Sequence, residues 1–360
     1  MLNNFRLIVV VVFSVFFLSA CASTPPVKRR VFWPDPPDEP KIEWIGTYSS
    51  SSDFKNTQSL FNMIVGEGDV VSLKRPLSIA SNGTGKVFVS NTETADVLVF
   101  DFNARDTYKL GGNLMQSAIK HLTGIALDAQ GNVYVADSSS RKIHVVDRDN
   151  KPVRVLDLST RMKSIGMFAV DKRAARLIIP DLKEHRIVVT DLEGNFLFAF
   201  GKPGSADGDF NFPLSVAIEA DGGIVVCDSL NARVQRFTSQ GVFVNKFGRR
   251  GDGVGDFAII KGVAVDSEGH IYVTDGKESR VTIFSPSGET LLAFGAKYSQ
   301  MDASKVAAGG FLIPQGIYID QNDRIFIADQ LNNRFQVFQY MNSRYLTEFP
   351  LVTPASKAVK

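Results

Sequence analysis

Through most of the chain apolar residues alternate with small or polar ones in short runs, which is the period of a strand rather than a helix. The stretch GIALDAQGNVYVAD, Gly124 to Asp137, shows the unit: two alternating runs joined by Asp-x-x-Gly, which reads as a β-hairpin with a tight turn. It returns as GVAVDSEGHIYVTD from Gly262, and in looser form from Ser78, Phe168, Val216 and Gly316. Aligned on the last residue of the second run, the six copies place Asn91, Asp137, Asp181, Asp228, Asp275 and Asp329 in register, at intervals of 46, 44, 47, 47 and 54 residues. A third run follows each copy (DVLVFD, KIHVVD, RIVVTD, RVQRF, RVTIF, RFQVF). A fourth follows most, such as NFLFAFG from Asn195, GVFVNKFG from Gly241 and ETLLAFG from Glu289. Four antiparallel strands every forty to fifty residues predict an all-β protein, a six-bladed β-propeller of four-stranded blades. Each blade has apolar side chains on both faces, and closing the ring covers both.

The antiparallel order divides the ring into two faces. Second-to-third and blade-to-blade connections emerge on one, and the two remaining hairpins of each blade on the other. The first face carries the longer loops, GKPGSADGDF from Gly201, GRRGDGVGDF from Gly248 and GAKYSQMDASKVAAGGF from Gly295, the last accounting for the 54-residue interval. Binding sites concentrate on loops held by a rigid scaffold. The long-loop face is therefore the expected partner surface, with Arg249, Arg250, Lys297, Tyr298 and Met301 as candidate contacts. The competing reading is that the last insertion only shields a seam between blades. The other face, with turns such as DAQG and DSEG, is expected to be too tight to shape a specific surface.

The front of the chain differs. A short segment containing Arg6 leads into a 14-residue apolar run ending in LSAC, with Cys21 last. That run is shorter than the roughly 20 residues of a membrane span and fits a secretory signal. LSAC resembles a bacterial lipoprotein signal, which implies removal of residues 1–20 and lipidation of Cys21. Ala22, rather than aspartate, follows the cysteine. By the sorting pattern of such lipoproteins this implies the outer membrane, facing the periplasm. Residues 21–40 then read as a lipidated tether and a proline-rich segment, VFWPDPPDEP, expected to be stiff and to pack on the ring. Residues 41–350 form the propeller and 351–360 a tail. KIEWIGTYS, from Lys41, lies outside the six copies and is expected beside the last blade's outer strand near RYLTEF from Arg344. Residues 54–66 are expected to form a short helix.

Phe212 to Gly248 and the segment from Leu312 resemble NHL repeats: Pro213 and Pro314 precede the first strand, Asp-x-Leu-Asn-x-Arg follows the second, and a closing Phe-Gly ends the former. The likeness extends over about residues 73 to 348 and, with WPDPPDEP, reaches a group of exported bacterial lipoproteins. Blades one and three depart most, with Asn91 and Asp96 replacing the usual Asp and Arg, and Pro180 beside Asp181. The resemblance implies a six-bladed propeller and, for most members, binding; related propellers include a zinc-dependent amidating lyase, an antibiotic lyase and lactonases.

Formal charge is +2 over 78 ionisable Lys, Arg, Asp and Glu residues, so there is no basic footprint for nucleic acid. Asp181/Arg186, Asp228/Arg233, Asp275/Arg280 and Asp329/Arg334 stand five apart across a strand connection. A motif repeated around a ring is expected to be structural, fastening blades. The glycine-rich loops lack the lysine and hydroxyl of a phosphate loop. His121, His144, His185 and His270 fall in different parts of the repeat, which does not suit a zinc site. The inner strands contain no carboxylate over the stretches SIA, GIAL, FAV, SVAI, GVAV and GIYI. Cys227 reads as a buried hydrophobe. No catalytic residue, metal or cofactor is assigned. The expectation is a lipid-anchored envelope adaptor that binds a protein, peptide or glycan. The alternative is an envelope hydrolase or lyase, lactonase-like or amidating-lyase-like, with its site at the propeller mouth.

Overall fold

The computed structural model describes residues 30–54, 70–112, 115, 118–299 and 307–351. From Val31 onward the chain forms a six-bladed propeller. Blade one comprises β3 (Pro76–Ser81), β4 (Lys86–Asn91), β5 (Asp96–Asp101) and β6 (Asp106–Lys109). Blade two comprises β7 (Leu122–Leu127), β8 (Val133–Asp137), β9 (Lys142–Val146) and β10 (Pro152–Asp157). Blade three has β11 (Ala169–Asp171), β12 (Arg176–Asp181), β13 (Arg186–Asp191) and β14 (Phe196–Phe200). Blade four has β15 (Pro213–Ile218), β16 (Ile224–Asp228), β17 (Arg233–Phe237) and β18 (Phe243–Phe247). Blade five has β19 (Ile260–Val265), β20 (Ile271–Asp275), β21 (Arg280–Phe284) and β22 (Thr290–Phe294). The first strand of each blade is innermost. These inner strands touch in a closed circuit, with β25 (Pro314–Ile319) of blade six meeting β3 of blade one.

Blade six closes the ring with both ends of the chain. Its C-terminal strands, β25, β26 (Arg324–Asp329) and β27 (Arg334–Tyr340), receive β2 (Ile42–Tyr48) as the fourth strand, and β1 (Val31–Trp33) adds a fifth. KIEWIGTYS is thus itself the outer strand. RYLTEF does not extend the sheet. It lies in a short helix, α1 (Ser343–Glu348), capped by Asn342, whose side chain accepts the Tyr345 N–H at 2.8 Å. The proline-rich segment packs on the ring through Trp33, whose ring centroid lies 5.8 Å from that of Phe294 and 5.7 Å from that of Phe338, at the seam of blades five and six. Of the helix expected over 54–66, only Phe54, in a 3-10 turn (Ser51–Phe54), is among the described residues.

The core is distributed rather than central. Six apolar clusters occupy the six seams, one between each pair of neighbouring blades. Each consists of the apolar positions that both sheets turn toward each other, so every seam depends on the blade either side. Near their beginnings some neighbouring inner strands approach so closely that a side chain would clash. A Cβ on Gly316 would lie 2.6 Å from the Leu77 carbonyl oxygen, and one on Gly262 would lie 2.7 Å from that of Gln315. The inner strands of blades five, six and one thus lie against one another at this end, on the long-loop face.

The repeated Asp and Arg residues sit directly opposite one another across the second and third strands of blades three to six. Their contacts differ. Arg233 Nε meets Asp228 Oδ2 at 2.8 Å, and Arg334 Nε meets Asp329 Oδ2 at 2.8 Å. Arg186 stands 3.9 Å from Asp181. Arg280 turns away from Asp275 and donates to the carbonyls of Gly253 and Asp256. What all four blades share is the loop being held. Each aspartate accepts backbone N–H groups of the connection before its inner strand, such as Asn211 N to Asp228 at 2.7 Å and Leu312 N to Asp329 at 2.7 Å. Each arginine donates to carbonyls of the same connection. A buried glutamine in the third strand assists in two blades, Gln235 donating to Asp209 O at 2.8 Å and Gln336 to Gly310 O at 2.7 Å.

Candidate functional site

The inner strands enclose an axial cavity of about 550 Å³, within the range that small-molecule sites occupy. Its wall is apolar and includes Ala169, Ile218, Val265 and Ile319, which keep partial exposure on the channel while their neighbours are buried in the seams. Alternation explains this. On a strand parallel to the axis, successive side chains turn toward one adjacent blade and then the other, and the channel receives what neither covers. Tyr318 lines the same wall between blades six and one, and its hydroxyl makes no hydrogen bond among the described residues. Burial, and secondly the charge of Asp320, push its phenol pKa up.

The polar lining lies at the opposite end from these glycine contacts, on the face of the tight hairpins. The first residue after each inner strand recurs in register as Asn82, Asp128, Asp171, Glu219, Asp266 and Asp320 (Asp171 closing β11), forming an acidic ring. The wall carries no carboxylate, but the rim begins one residue beyond the inner-strand stretches that suggested an unlined channel. The signal was the Asp of Asp-x-x-Gly, which sequence reasoning assigned only to the turn. That assignment also has substance. Asp128 accepts the N–H groups of Gln130 and Asn132 at 2.9 and 2.8 Å, and Asp266 those of Glu268 and His270 at 3.0 and 2.9 Å. Asp320 accepts those of Asn322 and Arg324 at 2.9 and 3.1 Å.

Side chains complete the neutralisation. Arg176 Nε reaches Asp171 at 2.9 Å, Arg236 reaches Glu219 at 2.8 Å, and Arg324 reaches Asp320 at 3.0 Å. His270 Nδ1 lies 2.9 Å from Asp266 Oδ2, and this hydrogen bond raises the imidazole pKa against the opposing effect of burial. Burial raises the Asp320 pKa, with Arg324 opposing it. Asp323, also on the rim, accepts from Ser267 and from Asn342.

Lys172 is the exception. It follows Asp171, at a register occupied elsewhere by Gly83, Ala129, Ala220, Ser267 and Gln321. Its ammonium forms no ion pair or hydrogen bond among the described residues, whereas neighbouring Arg173 donates to the Ala220 carbonyl. Lys172 is exposed to solvent at the channel mouth, and partial desolvation there lowers its pKa. Asp128, on the adjacent blade, and Asp320, on the blade opposite, pull the other way. Lys172 is among the residues that line the cavity.

Of the residues expected to contact a partner, Arg249, Arg250, Lys297 and Tyr298 do not line this cavity. Arg249 pairs with Asp256 at 2.9 Å, and Arg250 donates to the carbonyls of Ala258 and Leu230 at 3.2 and 3.1 Å. Lys297 belongs to β23 (Ala296–Lys297), which pairs in parallel with β24 (Gly310–Phe311). Tyr298 continues that pairing through its N–H to Phe311 O at 2.8 Å. Met301, like Cys21, lies outside the described residues. The histidines remain dispersed. His185 Nδ1 accepts the Phe212 N–H at 2.9 Å, and His144 is half-buried in a third strand, its pKa lowered by desolvation. Among the described residues no group of three or more His, Cys, Asp and Glu is arranged to hold a metal ion. Cys227 is fully buried, and burial raises its thiol pKa. Among the described residues no helix is long and apolar enough to cross a membrane.

The closed circuit of blades and its axial cavity define the class: this is an all-β, six-bladed propeller. A family model described as a 6-bladed beta-propeller matches residues 214–293, within blades four and five. Among solved structures the chain is similar to a protein of unknown function from Bacteroides thetaiotaomicron, at 18% identity and a TM-score of 0.60, covering 83% of this chain and 75% of that one. It is also similar to an auxiliary nutrient binding protein from the same organism (10% identity, TM-score 0.56, 75% of this chain and 70% of that one). A third likeness is to virginiamycin B lyase from Staphylococcus aureus (11% identity, TM-score 0.53, 74% and 95%). At these identities the likeness establishes the fold. No curated protein matches the sequence.

Proposed function

We propose that this protein is a lipid-anchored binding protein of the bacterial cell envelope, and that its ligand occupies the axial cavity. The cavity carries the proposal: its wall is apolar and its polar rim lies on the hairpin face, opposite the end where the inner strands meet through glycine. A pocket of this form orients a bound molecule with its polar end outward. Binding is favoured over hydrolysis or lysis because the rim carboxylates are committed to their own turns and to arginine or histidine neighbours. The long-loop face is the weaker candidate, since Arg249 and Arg250 are engaged within or beside their own loop. The sequence LSAC, ending in Cys21, supports the lipid anchor. The likeness to a nutrient-binding propeller is in keeping with a small-molecule ligand.

The test is mass spectrometry of small molecules released on denaturing protein purified from its own cells, compared with the cavity-filling variants Ala169→Trp and Val265→Phe. Wild-type protein should carry a molecule that variants of unchanged melting temperature lack. Equal small-molecule content in wild type and folded variants would remove the cavity from the proposal.

A further inference from the structure

We infer that the cavity accepts a small organic anion, whose apolar body lies against the inner strands and whose anionic group is held by Lys172. This rests on the cavity being the ligand site and adds the class of ligand. The argument is one of unsatisfied groups. Five acidic residues line the cavity at the rim, Asp171, Glu219, Asp266, Asp320 and Asp323, each accepting hydrogen bonds from its own turn, a cation or a neighbouring side chain. The rim cations Arg176, Arg236 and Arg324 are consumed by those carboxylates, and Arg173 by a carbonyl. Among the described residues the Lys172 ammonium, solvent-exposed at the mouth of a cavity with an apolar wall, is the remaining rim charge without a partner. The unpartnered Tyr318 hydroxyl offers one further polar contact on the wall. In such surroundings a charge-assisted hydrogen bond is stronger than at an open surface.

The partnered acids oppose this, because they bias the mouth toward cations. Most of their oxygens already accept hydrogen bonds, however, and Asp128 and Asp320 already act on Lys172. A cationic ligand would have to displace the lysine and leave it exposed to repulsion. An anionic one supplies the partner that the lysine lacks.

Three compounds with one apolar body separate these outcomes: 4-phenylbutyrate, its neutral amide 4-phenylbutyramide, and 4-phenylbutylamine. Binding is measured on the full chain by ligand-observed NMR, with empty detergent micelles as the blank. The carboxylate should bind about tenfold more tightly than the amide, the size of one charge-assisted contact. Lys172→Gln should bring the two within about twofold, and Lys172→Arg should keep most of the preference. Weaker binding of all three to Ala169→Trp locates them in the cavity. If the amine equals or exceeds the carboxylate, or if Lys172→Gln leaves the preference intact, the anion inference is overturned and the cavity proposal stands. Failure of all three compounds to bind also overturns it, and the cavity proposal is then judged separately by the co-purified molecules.

Discussion

Replacing Arg233 with alanine isolates what the repeated Asp/Arg positions contribute. The guanidinium donates to Asp228 Oδ2 at 2.8 Å and to the carbonyls of Ser205, Ala206 and Asp209 at 2.7, 2.9 and 2.8 Å. Its side chain is 8% exposed and that of Asp228 0%. Removing one partner of a buried pair costs about 3–5 kcal/mol. Asp228 would keep the Asn211 N–H at 2.7 Å, Asn231 Nδ2 at 2.8 Å and Gln235 Nε2 at 3.3 Å, so the lower end applies, about 3 kcal/mol. Arg280→Ala is the control. It removes two donations to carbonyls but no ion pair, and should cost about 1 kcal/mol. Urea midpoints at constant slope measure both.

Acidity sharpens the comparison. Burial already raises the Asp228 pKa, against the opposing donors Asn231, Asn211 and Arg233. A carboxylate whose folded pKa exceeds its unfolded value binds protons preferentially in the folded state, so stability is lost as pH rises through that window. Arg233→Ala raises the folded pKa further. Its deficit should therefore shrink as pH falls below neutrality, while that of Arg280→Ala should not. Equal losses in the two variants, or a deficit in Arg233→Ala that ignores pH, would refute the charge-pair reasoning and leave only lost loop contacts.

Gly316→Ala places a Cβ 2.6 Å from the Leu77 carbonyl and should destabilise the ring by about 2 kcal/mol, read from the same urea midpoints. His270 has a raised pKa in the folded state, so its contribution is full below the unfolded value of about 6.5 and is lost as pH rises through the folded one. His270→Ala should thus cost more stability at acidic than at alkaline pH, as melting curves across that range will register. Cys21→Ser should move the protein out of the membrane fraction without lowering its melting temperature. Full retention in membranes would exclude Cys21 as the anchor.

The blades were legible because their signal is local and repeated: alternation fixes which side chains enter a seam, and Asp-x-x-Gly fixes each turn. Six aligned aspartate or asparagine positions gave the blade count. Closure was only partly legible. The sequence of β2 reads as a strand, but its pairing with β27 spans nearly the whole chain, and no local pattern encodes that. Similarly, RYLTEF alternates weakly enough to pass for a strand, whereas Asn342 caps it as a helix. The cavity was hidden for another reason. Its wall residues, such as Ala169 and Val265, differ from seam residues only by position around the axis. Its rim acids belong to a motif already explained by turns. Loop length drew attention to the opposite face, where the described parts of the connections are held by Asp, Arg and Gln side chains.

That contrast bears on where function resides. On the long-loop face the distinctive polar residues satisfy the fold: Arg233, Arg334, Gln235 and Gln336 bind loop carbonyls, and Arg249 holds Asp256. On the hairpin face the rim acids do likewise within their turns. Lys172 answers no such need. The N–H groups that Asp171 accepts are those of Arg173 and Ala174, so the turn forms whatever side chain stands between. The other five blades manage with glycine, alanine, serine or glutamine at this register. Stability gives no reason for a lysine here, and desolvation at the mouth works against its charge. A lysine that the turn does not require, placed among the residues lining the cavity, is accounted for by the anionic ligand proposed above.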